Sequence, residues 1–534
     1  MPSINPQKRA ARSASISRPR GPLWAAASGI LLSLSFPSAG LMPLVFVALV
    51  PLLVWLQRDT AGPATRVSPQ APSRGSGLVP WLAGLVFNML VFWWLVRLPA
   101  AAMTHPWIIF PALLALALYL GFFVALFGWI TRFLRRRVGW SPLVVAPAVW
   151  GVTEWLKSSG PLGCPWGNLS YALAEHPAWI QGASLVGAPG LSIWIVSVNA
   201  LFAGAFVTRR WIARVPLVLL GIALVAGPVL WGAKRIRAHH PGETLRVALV
   251  QPDISSEEKW DAAHQEKSIR TLARLSREAA EQVPKPDLLV WPETALPFYV
   301  RLEAPKLELL FDLIQELNVP LLAGYPDATF SLSGGVITHN AAGLILPSRT
   351  IAAQYEKIHL VPFGERIPFQ GLLPFLGKID LGQAEWTPGT KPVIFPLKNA
   401  SFGVLICFES IFPELARDYG VDGARFLVNI TNDEWFGPTA APRQHADMAV
   451  LRCVEEDLGM ARCANTGISM FIDPVGRVTQ SSPLFHEAVL TGEVEMGGPP
   501  TLFRQWGDWL TGVSIGLVLV LLLLGWYRPL RREI

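Results

Sequence analysis

Three stretches of this sequence place a residue capable of chemistry at the end of a predicted strand. In "LLVWPETALP", Glu293 closes the run and is flanked by Pro292 and Pro297. The stretch "YEKIHLVPFGERIP" (355–368) carries Lys357 and Glu365. In "GVLICFES" (403–410), Cys407 follows Val404 to Ile406 and precedes Phe408, Glu409 and Ser410. A glutamate, a lysine and a cysteine gathered at strand ends form a working set for acyl transfer. A thiol with an ordinary pKa of about 8.5 needs help to attack at neutral pH. A carboxylate in a poorly hydrated pocket can take its proton and later return it. An ammonium group favours the thiolate and donates to the oxyanion of a tetrahedral intermediate. A thiol that closes a buried strand is also ordinary core filling. These residues alone leave Cys407 open between the two roles.

The elements that must position them lie in residues 243–500. Short β-like runs there alternate with helical patterns. Strands are expected at 244–251, 287–293, 319–325, 402–407, 425–431, 467–474 and 489–495, with a hairpin of 340–347 and 351–357 around "SRT". Helices are expected at 257–282 and 306–318. The alternation predicts an α/β domain, and sites gather at the carboxyl ends of strands in such sheets. "SIFPELARDYG" after Cys407 reads as a helix with Ser410 as N-cap and Glu414 in its first turn. Cys407 would then sit near the positive end of a helix dipole, a setting that lowers a thiol pKa. The four cysteines, Cys164, Cys407, Cys453 and Cys463, are too few for a disulfide scaffold and lack metal-ligand spacing. No metal is expected. Cys164 reads as structural. Cys453 and Cys463 read as two separate buried thiols, with a disulfide open to them only in an oxidising compartment.

The rest of the chain is built for lipid. Hydrophobic residues make up 51% and charged residues 16% of the 534, against about 25% charged in soluble domains. Membrane helices are expected at about 22–38, 41–57, 79–97, 107–130, 142–157, 189–207 and 213–232, seven in a block 22–232, with an eighth at 509–527. Basic residues mark every second connection: the tail 1–21, Arg58 with Arg66 and Arg74, "TRFLRRRVGW" (131–140), "TRRWIAR" (208–214) and Arg528, Arg531 and Arg532. That pattern places both termini in the cytoplasm and the domain 243–500 outside it, with Lys234, Arg235 and Arg237 running against the rule locally. No cleaved signal peptide is expected. "SPQAPSRGSG" (68–77) reads as a flexible cytoplasmic loop. The net charge of +7 is spread between apolar segments, so no nucleic-acid partner is expected.

"WPE", a lysine inside "KxHLVPFGE" and "CFE" before a helix, in that order, resemble the nitrilase (carbon–nitrogen hydrolase) superfamily. "KIHLVPFGERIP" with flanking membrane helices, "NDEWFG" (432–437) and "ARCANTG" (461–467) is similar to its apolipoprotein N-acyltransferase family. The resemblance covers essentially the whole chain. It implies a nitrilase-like αββα sandwich attached to about eight transmembrane helices. It implies Glu293 as general base, Lys357 as oxyanion and thiolate stabiliser, and Cys407 as nucleophile, supported by Glu365 and Glu409. Their plainer readings are a surface ion pair of Glu365 with Arg366 and a helix-start charge at Glu409. Trp260 and Trp435 would line a route for lipid or serve as packing anchors. Phe408 replaces a tyrosine found in some relatives.

The same resemblance implies a ping-pong reaction without a cofactor. A membrane phospholipid is the acyl donor, Cys407 carries the chain as a thioester, and the α-amine of a diacylglyceryl-cysteine at an apolipoprotein N-terminus is the acceptor, in the last step of lipoprotein maturation. The chain is expected to act as a monomer in the bacterial cytoplasmic membrane, with its catalytic domain on the periplasmic side. Two alternatives remain at this level: a membrane-anchored amidase using water as acceptor, and a non-catalytic lipid-binding protein.

Overall fold

Residues with alternating inward and outward apolar side chains build two six-stranded sheets in the computed structural model, which describes residues 21–59, 77–98, 106–260, 264–330, 335–370, 372 and 385–527. The first sheet joins β1 (Thr244–Gln251), β2 (Leu288–Val290), β3 (Leu321–Phe330), β4 (Val336–Leu346), β5 (Thr350–Glu356) and β12 (Ala488–Glu495) in the order β12-β1-β2-β3-β4-β5. The second joins β6 (Ile394–Leu397), β7 (Ala400–Ile406), β8 (Phe426–Thr431), β9 (Met460–Ala464), β10 (Met470–Ile472) and β11 (Val478–Ser481) in the order β11-β10-β9-β8-β7-β6. Each sheet has a parallel centre, β1-β2-β3 and β7-β8-β9, with antiparallel strands outside it.

The period of two decides the layering. Val247, Leu249, Leu288, Val290, Phe402, Val404, Ile406, Phe426, Val428 and Ile430 meet between the sheets. Ala248, Val250, Leu289 and Leu321 face the other way, onto helices Gln265–Ala280 and Ala304–Leu317. The opposite outer face of the second sheet meets helices Pro413–Val421 and Ala441–Glu456. The domain is therefore the αββα sandwich expected. The helix expected at 257–282 is two helices, Ser256–Trp260 and Gln265–Ala280. The strand expected at 467–474 is only Met470–Ile472.

The outermost layer is the membrane block. Helix Ala441–Glu456 shares one apolar cluster with Tyr171, Ile180 and Ala188 from that block. Among the described residues, six helical stretches are long and apolar enough to cross a bilayer: Met42–Asp59, Leu78–Arg97, Ile109–Arg137, Ala183–Val207, Trp211–Ala238 and Trp509–Tyr527. The other two expected spans are helices of 14 residues, Gly21–Leu34, and 17 residues, Pro142–Ser158, below the roughly 20 that a bilayer core requires. The first expected span stops early because Pro37 and Gly40 turn the chain there. Residues 1–20, the loop with Arg66 and Arg74, and Arg528, Arg531 and Arg532 lie outside the described residues.

Candidate active site

Three strand ends deliver the three chemistry-bearing residues. Trp291 N–H donates to Leu322 O (2.8 Å), carrying the pairing one step past β2. Pro292 then has no N–H to continue it, and Glu293 turns into the site. Lys357 is the first residue after β5, and its N–H donates to Asn340 O (2.8 Å) on β4. Cys407 is the first residue after β7 and has φ +53°, the left-handed region that a side-chained residue enters only when its surroundings hold it there.

The ammonium of Lys357 sits between two carboxylates. Lys357 Nζ lies 3.2 Å from Glu293 Oε1 and 2.9 Å from Glu365 Oε1. Asn340 Nδ2 donates to the same two oxygens at 2.8 and 3.0 Å. Glu293 Oε2 accepts from Asn432 N–H (2.8 Å) and Glu365 Oε2 from Val361 N–H (2.8 Å). Glu365 thus faces Lys357 rather than pairing with Arg366. Burial opposes the charge on Lys357, yet Glu293, Glu365 and Cys407 together raise its pKa well above the lysine range. Burial and then the charge of Glu293 push the Cys407 thiol up, while Lys357 and the Thr431 hydroxyl pull it down without cancelling the rise.

The segment after Cys407 departs from the sequence reading. A 3-10 turn, Cys407–Ile411, intervenes before helix Pro413–Val421, whose N-cap position is Phe412. Ser410 is therefore not an N-cap; its hydroxyl donates to Cys407 O (3.0 Å). Pro413 fixes the first position of the helix and forces the preceding residue to stay extended. Any dipole at Cys407 is that of a short turn. Glu409 lies wholly buried in this turn. Its Oε2 accepts from Ile406 N–H (2.8 Å), and its Oε1 from Tyr355 Oη (2.7 Å), Ile358 N–H (2.7 Å) and His359 N–H (3.1 Å). It ties the Cys407 turn to the Lys357 segment. Burial raises its pKa to about 7 against those donors.

Behind Cys407 lies a second polar group that residue types alone did not single out. His445 Nδ1 is 2.9 Å from Asp433 Oδ1, whose Oδ2 accepts from Arg462 (2.9 Å). Thr431 Oγ1 donates to Asp433 Oδ1 (2.9 Å). Arg462 and His445 hold Asp433 at about 2 despite the opposing effect of burial. Cys407, Asp433 and His445 offer ligand atoms within 4.8 Å of one another. Both ring nitrogens and both carboxylate oxygens already have partners, with Arg462 where a cation would stand. The cluster therefore reads as a closed hydrogen-bond network. Asp433 and Arg462 fall inside "NDEWFG" and "ARCANTG", so the signal was present without a role. Asn340 and His445 carried none. Lys259, 2% exposed, is a further missed group. Its Nζ donates to Thr294 Oγ1 (3.3 Å), and burial lowers its pKa to about 8 against the pull of Glu434 and Glu293.

The tryptophans are less central. Trp435 is exposed in the turn Asp433–Phe436. Trp260 ends helix Ser256–Trp260, and its side chain lies outside the described residues. Phe408 packs edge-on against Phe412 at 5.2 Å. Both line a cavity of about 300 Å³ with Ile358, His359, Arg366 and, from the membrane block, Gly160. Cys164, Cys407, Cys453 and Cys463 are all free thiols.

The comparisons divide along the same line as the fold. The family model "Carbon-nitrogen hydrolase" matches residues 246–498, and "Apolipoprotein N-acyltransferase N-terminal domain" matches residues 28–201. Among curated proteins, an apolipoprotein N-acyltransferase of Geobacter metallireducens is 36% identical over 494 residues, 91% of each chain. One from Chlorobaculum tepidum is 30% identical over 544 residues, covering 94% of this chain and 96% of its own. Among solved structures, an amidase from Nesterenkonia sp. covers 52% of this chain and 98% of its own at 18% identity, with a TM-score of 0.37.

Proposed function

The chain belongs to the apolipoprotein N-acyltransferase family, and from that premise we propose that it moves an acyl chain from a membrane phospholipid to the N-terminal α-amine of a diacylglyceryl-cysteine on apolipoproteins. The observation that carries this reading is the buried set itself: Lys357 bridging Glu293 and Glu365, beside a thiol whose pKa responds to both Glu293 and Lys357. Cys407 Sγ attacks the ester carbonyl while Glu293 takes the thiol proton. Two of the three Lys357 ammonium donors are spent on carboxylates, which leaves one for the oxyanion. The ester C–O bond breaks, Glu293 returns the proton to the leaving lysophospholipid oxygen, and a thioester remains. The acceptor amine then attacks, Glu293 takes its proton, the C–S bond breaks, and the sulfur recovers the proton as the amide forms. Glu365 and Glu409 act as supports, the first on Lys357 and the second on the Cys407 turn.

On this reading residues 243–500 form the catalytic domain, held between a membrane block, 22–232, and a last span, 509–527. The alternation of basic connections supports a bacterial cytoplasmic membrane protein with this domain on the periplasmic side. Both substrates are anchored in lipid, which gives the membrane block its purpose. Trp435 and Trp260 would border the path that lipid takes. No cofactor enters the reaction, and a monomer holds every residue it uses. Incubation of the purified protein with phospholipid alone tests the scheme by intact mass. A gain of one acyl chain that disappears in Cys407→Ala is expected. No gain, together with hydrolysis of simple amides, would assign a membrane-anchored amidase instead.

A further inference from the structure

The turn that presents the nucleophile is held at both ends by groups that belong to, or lie directly beneath, the membrane block. At its start, Cys407 O faces His445 Nε2 at 3.1 Å; a carbonyl oxygen only accepts, so the ring donates. His445 is fully buried, and Trp166 stacks on its ring at 5.8 Å and 20°. Trp166 comes from the loop between Pro142–Ser158 and Leu169–Leu173, and its Nε1 donates to Gln444 Oε1 (3.0 Å) beside the histidine. At the end of the turn, Ile411 O accepts from Tyr171 Oη (2.6 Å) and from Arg452 Nη1 (3.0 Å). Arg452 is braced by Glu455, whose Oε1 also accepts Ala188 N–H (2.6 Å). That N–H is available because helix Ala183–Val207 breaks at Gly187, where φ is +67°.

A left-handed backbone at a side-chained residue is unfavourable and persists only under constraint. Ser410 Oγ also donates to Cys407 O (3.0 Å) and Glu409 holds Ile406 N–H (2.8 Å) from within the turn, but the holds that reach it from the membrane side act on two carbonyls, 407 and 411. We propose that the membrane block positions the nucleophile, with His445 and Tyr171 as positioning residues that hold the two ends of the Cys407–Ile411 turn. The block would then serve catalysis directly, beyond anchoring the domain beside its lipid substrates. This rests on Cys407 being the nucleophile.

Full-length Tyr171→Phe and His445→Gln proteins test it. The first removes one hydroxyl; the second keeps an N–H donor on a side chain without the ring that stacks on Trp166. Two rates are read: alkylation of Cys407 by iodoacetamide, followed by intact mass against a Cys407→Ala control, and acylation by phospholipid, resolved into kcat and KM. The expected result is a roughly five- to tenfold fall in both the alkylation rate and kcat, with KM within about twofold of the parent and the melting temperature close to it. Alkylation rates within about twofold of the parent in both variants would overturn the proposal, as would a loss that simply tracks a lowered melting temperature. If His445→Gln does not fold, Tyr171→Phe decides alone. Alkylation uses no phospholipid, so a wrong acyl donor would leave this outcome intact.

Discussion

At the scale of single residues, Glu409 has the most to lose. It is fully buried and accepts from four donors, three of them backbone N–H groups. Burial raises its pKa from 4.5 to about 7 in the folded protein. Between those values the folded state holds a proton that the unfolded chain has released. Stability therefore falls as pH rises through that window and levels off above it, by a total on the order of 3 kcal/mol. Glu409→Gln cannot titrate, and its amide turns an N–H₂ towards donors that need an acceptor. The variant should be less stable than the parent throughout, with the gap narrowing between about pH 5 and about pH 7.5. Thermal unfolding of both proteins at the two pH values measures this. A gap that stays constant or widens would mean the carboxyl is ionised across the range.

At the scale of elements, close approach matters more than any one contact. Gly324 in β3 lies directly under the Glu293 loop: a Cβ there would stand 2.6 Å from Pro292 O and 2.7 Å from both Glu293 Cα and Thr294 N. All three are backbone atoms, so the loop has to move. Gly324→Ala should cost about 1–3 kcal/mol of stability. If Glu293 is the base proposed above, it should also slow acylation of Cys407 by on the order of 100-fold, because a base displaced by about 1 Å loses its alignment. Single-turnover acylation followed by mass, set beside a melting curve, separates the two effects; acylation at the parent rate would show that Glu293 tolerates the shift. The sequence made β1, β7 and β8 visible because their side chains alternate between two buried faces. It hid helix Ala441–Glu456, which is buried at every position but Arg443 and carries Gln444, His445, Arg452, Glu455 and Glu456 inward. No apolar stripe survives on such a helix, so its histidine and arginine could not be placed. Strand β9, "MARCA", escaped for a related reason: Arg462 is wholly buried in it, and its partners Asp433 and Asn429 come from β8 and the segment just beyond it. Glu293, Lys357 and Cys407 were legible because each follows a predicted strand within its own short motif. What holds them, Asn340 above all, is supplied across the sheet and leaves no local trace.

For the whole molecule, the apolar segments were plain in the sequence while their lengths were not. Proline and glycine shorten or break several of them, as at Pro37 and Gly187, and hydropathy averages over such breaks. The side of the membrane on which the catalytic domain lies rests on the basic connections, and it makes a geometric claim. Arg270 on helix Gln265–Ala280 and Arg210 at the start of Trp211–Ala238 are both exposed, but the positive-inside pattern puts them on opposite sides of the bilayer. Cysteines placed at each, in a Cys164→Ser, Cys407→Ala background that leaves only the two buried thiols, should report this directly. In intact spheroplasts a membrane-impermeant maleimide should label Arg270→Cys and spare Arg210→Cys, and permeabilisation should expose the second. Labelling of Arg210→Cys alone would invert the molecule, and with it the lipid leaflet from which Cys407 could draw its acyl chain.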